Sequence, residues 1–260
     1  MTEPPCIIDV HTHLHADVFD EDRAEVMGRA REAGVKAILL MGEGPGDNDR
    51  VLDVAGADPF LYPCLGYHPD RLEGKGVEES LRLVQENLPD LAAVGEVGLD
   101  FWRAKTAEER ERQVEIFRQF IRLAIEQDLP LSVHSRSAGK RTLQVLEEMG
   151  ARRVCMHAFD GKAGYAADAV ERLGYYFSIP PSIVRSRQKQ KLAQRVPLSA
   201  LLLETDSPVL GAEPGKRNEP ANILLAAEKI AELKKVDVEE VLAAAWNNSK
   251  TLFTRLVIDP

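Results

Sequence analysis

Cysteine is scarce in this chain. Three occur in 260 residues, Cys6, Cys64 and Cys155, an odd number with no C-x-x-C pair. Each sits in an apolar, strand-like run. That argues against a disulfide framework and reads as reduced, buried thiols of a cytosolic protein. Long apolar runs are also missing. Nothing approaches the roughly 18 residues that cross a bilayer, so the chain reads as soluble. The first five residues, Met1-Thr2-Glu3-Pro4-Pro5, have neither the basic start nor the apolar centre of a secretory signal, and a cytoplasmic location is the expectation. Positive charge is in deficit: 33 Lys and Arg face 42 Asp and Glu, a net charge of −9. This excludes a general duplex-coating role but leaves room for a local basic patch around a site. There is no linker, low-complexity segment or charge block.

What is present is an ordinary globular composition, 44% apolar and 29% charged. The length suits one α/β barrel, which needs about 250 residues, so 1–260 is read as a single domain. Strand-like runs alternate with helical ones. The strands fall at 6–10, 35–41, 60–67, 91–95, 129–133, 153–156, 174–178 and 201–204. The helices fall at 20–33, 49–57, 77–87, 106–127, 139–149, 162–173, 183–195, 219–234 and 238–256. Eight strand–helix alternations with short connections predict a parallel sheet closed into a single (β/α)8 TIM-like barrel. In that fold the active site lies at the C-terminal ends of the strands.

The first strand, Cys6-Ile7-Ile8-Asp9-Val10, runs into His11-Thr12-His13. Residues i and i+2 of a strand share a side, so two imidazoles can face one point. Later strands end in the same residue types: Glu96, His134, His157 and Asp206. The chain has only six histidines, and five follow strand-like runs. Four imidazoles and two carboxylates can hold two divalent ions, with Glu96 best placed to bridge them. Such ions sit roughly 3.5–4 Å apart and lower the pKa of a shared water until it yields hydroxide near neutral pH. The ligand types suit Zn, Mn, Fe, Ni or Co, while Mg fits a site richer in oxygen and water ligands. Asp206 is also the candidate general base. His15, off the alternation, is read as solvated or structural.

A phosphodiester substrate needs cationic partners beside the ions. Arg136, two residues after His134, is the first candidate, because a guanidinium pairs bidentately with phosphate. His68, at the end of the third strand, is the second. The run Arg185, Arg187, Lys189, Lys191, Arg195 and the pair Lys216-Arg217 are expected on or near the site face, with a solvated helix face as the alternative. Phe101, Trp102, Phe159 and Tyr67 are possible stacking surfaces.

These residues carry a resemblance to the TatD family of metal-dependent hydrolases. The matching motifs are D-V-H-T-H-L at 9–14, G-Y-H-P at 66–69, G-E-V-G-L-D at 95–100, V-H-S-R at 133–136, H-A-F at 157–159 and L-E-T-D-S-P at 203–208. R-N-E-P at 217–220 and N-N-S-K-T-L-F at 247–253 match as well, so the resemblance spans nearly the whole chain. It implies a (β/α)8 barrel, divalent-metal dependence and hydrolysis of ester bonds, usually as a DNase. It also implies His11, His13 and Asp206 on one ion, His134 and His157 on the other, and Glu96 shared. The expected reaction is phosphodiester cleavage of DNA from single-stranded or frayed 3′ ends, with no membrane and no obligate protein partner. The alternative is a small-molecule amidohydrolase or aminoacyl-ester hydrolase on the same barrel. Amidohydrolases of that kind often bridge their ions with a carbamylated lysine, and strand 4 ends here in Glu96. A metal-bearing protein that only binds a partner is the third reading, disfavoured by an intact hexad, since a structural zinc site is closed and four-coordinate.

Overall fold

The computed structural model describes residues 6–258, so the reading of residues 1–5 lies outside the described residues. Eight strands form one parallel sheet in sequence order: β1 (Ile7–Thr12), β2 (Val35–Met41), β3 (Leu61–Leu65), β4 (Ala93–Gly98), β5 (Leu131–His134), β6 (Val154–Met156), β7 (Tyr176–Ile179) and β8 (Leu201–Leu203). Nine α-helices are seen among the described residues: α1 (Arg23–Glu32), α2 (Pro45–Gly56), α3 (Val77–Glu86), α4 (Ala107–Glu126), α5 (Gly139–Glu148), α6 (Ala163–Leu173), α7 (Arg187–Arg195), α8 (Ile223–Lys234) and α9 (Val238–Leu252). The expected (β/α)8 barrel is what the chain builds. No described helix is long and apolar enough to cross a membrane.

The barrel closes where β8 runs out beside β1. The Asp206 N–H donates to the His11 carbonyl at 2.9 Å, and the His13 N–H to the Ser207 carbonyl at 2.8 Å. Below them the buried Asp9 carboxylate accepts from the Thr205 N–H at 2.9 Å and its hydroxyl at 2.5 Å. Inside, Ile8, Val10, Leu39, Met41, Cys64, Cys155 and Leu202 pack together, closed at one end by Leu252, Phe253 and Leu256. The barrel is therefore a filled core rather than a pore. Strand residues of the other parity, among them Ile7, Ile38, Leu40, Val133 and Phe177, pack against the helices.

Strict alternation does not account for the mouth. Val10 is interior, yet its neighbour His11 also faces the centre. The register explains this: Asp9 pairs with Ile38 and Thr12 with Leu40, so β1 carries one extra residue between them. Strand β4 does the same, since Val94 pairs with Leu131 and Val97 with Val133. A β-bulge re-aims the residues that follow it. These two bulges turn His11 and Glu96 inward.

Helix boundaries hold to within four residues; α9 ends at Leu252 rather than 256, and three starts differ. Helix α2 begins at Pro45, inside the expected loop, because proline suits a first helical position where its missing N–H costs nothing. The segments at 183 and 219 begin as short 3₁₀ turns, Pro181–Val184 and Pro220–Asn222, before α7 and α8. Cys64 and Cys155 are buried free thiols, and Cys6, just ahead of β1, is only partly covered.

Candidate metal centre

The six expected residues meet at the barrel mouth, and Glu96 is their centre. Its two oxygens face different imidazoles. Around Oε1 lie His134 Nδ1 at 2.7 Å, His68 Nε2 at 3.5 Å and His157 Nε2 at 3.7 Å. Around Oε2 lie His11 Nε2 at 3.3 Å and His13 Nε2 at 3.4 Å. Asp206 Oδ1 completes that second group, 3.8 Å from His11 and 3.5 Å from His13. Asp206 sits at φ +54°, left-handed backbone that an Asp tolerates better than most residues. Close packing holds the floor: a Cβ at Gly66 would lie 2.5 Å from the Gly95 and Glu96 backbone.

Each imidazole is oriented from behind. His13 Nδ1 is 3.0 Å from the Met41 carbonyl, His11 Nδ1 3.0 Å from Ser132 Oγ, and His157 Nδ1 2.9 Å from Glu204 Oε2. These contacts leave three Nε2 atoms facing the centre. His134 is reversed: its Nε2 reaches Asp100 Oδ2 at 3.2 Å and its Nδ1 faces Glu96. Partners of this kind fix the ring and its tautomer for ligation.

The electrostatics favour added positive charge. Burial works against the Glu96 carboxylate, yet His68, His11 and His13 hold it well below the usual range. Burial likewise opposes charge on His13, but Asp206 and Glu96 push it well above its ordinary value. His134 is carried to about 9 by Asp100 and Glu96 despite its burial. His11 goes the other way, lowered by burial and by the neighbouring His157, whose ring is stacked on it at 3.5 Å. Its Nε2 is buried with no hydrogen-bond partner. A buried imidazole nitrogen left unpaired beside carboxylates fits a cation ligand.

Among the described residues, donor atoms close enough to share an ion form four groups: His11, His13 and Asp206; His68, Glu96 and His134; His11, His157 and Glu204; and His13, Glu43 and Glu96. His68 thus sits among the donors as well as on the cavity wall. The cavity has a volume of ≈ 670 Å³ and reaches Arg136 and Lys189 at its rim. Arg136 is exposed, its guanidinium 4.9 Å from the centre of the Trp102 ring. Of the basic run, only Lys189 turns inward, donating to the Ala158 and Phe159 carbonyls; Arg185, Arg187, Lys191 and Arg195 are exposed. Arg217 is engaged by Asp22 and Lys216 by Glu213. His15 is buried, not solvated, with its Nε2 3.0 Å from Asp47.

Asp100, Glu204 and Ser132 are not among the expected site residues. Glu204 carried a usable signal, since it precedes Asp206 by two residues and so falls on the same side one layer deeper. Asp100 and Ser132 come into place only through the β4 bulge and the sheet register.

Fold and site together define a (β/α)8 barrel of the metal-dependent hydrolase class. The chain belongs to the TatD family, matching the family described as TatD related DNase over residues 8–254. It is 42% identical to human deoxyribonuclease TATDN3, covering 96% of this chain and 95% of that one. It is 34% identical to the Bacillus subtilis metal-dependent hydrolase YabD, covering 95% and 98%. It is 30% identical to the Salmonella typhimurium 3′-5′ ssDNA/RNA exonuclease TatD, covering 95% and 98%. Among solved structures, the Escherichia coli TatD homologue YjjV superposes with a TM-score of 0.87 at 30% identity, covering 95% of this chain and 98% of that one.

Proposed function

We propose that this protein is a two-metal phosphodiesterase that removes nucleotides from the 3′ end of single-stranded DNA. The observation that carries the reading is the division of the imidazoles between the two oxygens of Glu96, which suits a carboxylate shared by two ions. The names of the human and Salmonella relatives support the substrate and the direction. When bound, two divalent ions (Zn, Mg, Mn, Fe, Ni or Co) supply charge stabilisation at the phosphoryl oxygens and acidify a water.

His11, His13 and Asp206 would hold one ion, His134 and His157 the other, and Glu96 both. The position of His68 beside Glu96 supports either a further donor to the second ion or a contact to the substrate. Asp206 takes the proton from the attacking water. Burial opposes its charged form, but His157, His13 and His11 keep its carboxyl below the usual range, so it is ionised and ready to accept. Arg136, free to reach over the mouth, pairs with a phosphate oxygen and offsets the charge that develops there.

The test is nucleotide release from 3′-end-labelled single-stranded DNA with Mg, Mn or Co, against a Glu96→Ala protein. Activity in the wild type and its loss in the variant support the reading. Equal activity in both would identify a contaminating nuclease. A parallel panel of amides, lactones and aminoacyl esters separates the amidohydrolase alternative, which would show turnover there and none on DNA.

A further inference from the structure

The mouth of the cavity is divided by charge. Its wall on the β2–β3 side carries Glu43, Asp47 and Asp70, while Arg103, Arg136 and Lys189 line the side between β4 and α7. Each side also has carboxylates engaged by neighbours: Asp47 lies 3.0 Å from His15 and Asp70 2.8 Å from His68 on the acidic wall, and two more stand on the basic side. Asp100 holds His134 at 3.2 Å, and Asp160 accepts the Ser137 N–H at 2.6 Å. Asp160 also borders a second, open cavity of ≈ 410 Å³, walled by Phe101, Lys140, Arg141, Lys162 and Tyr165. The loop between β5 and α5, with the first turn of α5, forms the saddle: Ser135 and Arg136 face the first cavity, and residues 137–141 face the second.

Among the described residues, Asp160 is the one carboxylate lining this groove. Arg141 is paired with Glu148 at 2.8 Å. The Lys140 ammonium rests over the Tyr165 ring, 5.7 Å from its centre, and Lys162 is exposed. The end of α5 that opens here has no acidic residue in its first turn and no side-chain cap. In a chain of net charge −9, a basic groove continuous with the catalytic mouth is a local exception to the overall charge.

We propose that this groove carries the retained, 5′ part of the DNA strand whose 3′ end lies in the catalytic cavity, with Lys140 and Lys162 on its backbone phosphates. This rests on the phosphodiesterase reading above. Every phosphate of the strand is an anion. Leaving over Glu43, Asp47 and Asp70 would bring like charges together, whereas leaving past Arg136 into the groove neutralises two or more phosphates and releases their counterions.

The experiment compares a dinucleotide with an oligothymidylate of about 20 nucleotides, in wild type, Lys140→Gln/Lys162→Gln and Lys140→Arg/Lys162→Arg. Both lysines are exposed, so the fold is expected to be untouched, and melting temperatures check it. For the long substrate the Gln variant is expected to raise KM about tenfold at low salt. The dependence of log KM on log salt should flatten by about 1.4, from about 0.7 per phosphate contact on a single strand. The dinucleotide, which has no phosphate beyond the scissile one to place in the groove, should be cut equally by all three, and the Arg variant should behave as wild type. If the Gln variant keeps the wild-type KM and salt slope on the long strand, or loses activity equally on both lengths, the groove proposal fails. If the wild type cuts neither substrate, the phosphodiesterase reading fails instead.

Discussion

His157 Nδ1 lies 2.9 Å from Glu204 Oε2, and the same carboxylate takes the Ala158 N–H at 3.0 Å through Oε1. One fully buried side chain thus fixes the ring and the backbone just beyond it. Ala158 sits at φ +37°, a conformation a non-glycine residue keeps only when its surroundings impose it. Glu204→Gln keeps the shape but places an amide where a charge-assisted acceptor stood. It is expected to weaken metal binding about 10–100-fold, the range for lost partners of metal ligands. Calorimetric titration of the metal-free protein with Mn reads this directly. An unchanged affinity would mean that His157 needs no such support.

Thr205 ties the ends of the barrel together through Asp9. Burial pushes the Asp9 carboxyl up to about 8 even with both Thr205 donors in place. Thr205→Val removes the hydroxyl donor and leaves that buried oxygen short of a partner. The expected cost is about 1–3 kcal/mol, seen as a lower urea midpoint at unchanged slope.

Gly98 lies at φ +146°, and a Cβ there would stand 2.1 Å from the His134 carbonyl oxygen. Gly98→Ala is expected to force β4 and β5 apart beside His134. Loss of about 2 kcal/mol or more in denaturant, together with loss of activity, is the expected pair of effects. Retention of both would show that the strands yield there.

Arg217 fastens the segment after β8 to the start of α1, through Asp22 and the Val18 carbonyl. Its hydrogen bonds hold the Asp22 carboxyl below the usual value. A depressed folded pKa gives stability that is full above the unfolded value of about 3.9 and is lost as pH falls through the folded one. The difference in melting temperature between wild type and Arg217→Met should therefore hold near neutral pH and shrink below pH about 4. A difference that persisted in acid would assign it to packing of Arg217 over the Phe19 ring, 4.7 Å away.

Much of this was legible in the residues. Near-continuous apolar runs such as Val35–Met41 marked strands buried on both faces. The helix expected from 106 starts where Thr106 and Glu109 form a reciprocal capping box. Polar residues at successive strand ends marked the mouth. What was not legible is what two bulges and the register produce. Period-two reading leaves His11 out of phase with Ile8 and Val10, and Glu96 out of phase with the interior Ala93. No local pattern signals an inserted residue, because its cost is met by contacts across the sheet. The same holds for Asp100 and Ser132, whose roles depend on which strand lies opposite. His15 pairs with Asp47, which is half-buried and 32 residues away, a contact that no local pattern shows.

The sharing of Glu96 by two ions is tested most directly by anomalous diffraction from crystals grown with Mn. The expected result is two peaks about 3.5–4 Å apart, one among His11, His13 and Asp206, the other beside His134 and His157, each in contact with a different Glu96 oxygen. A single peak, or density away from Glu96, would contradict it.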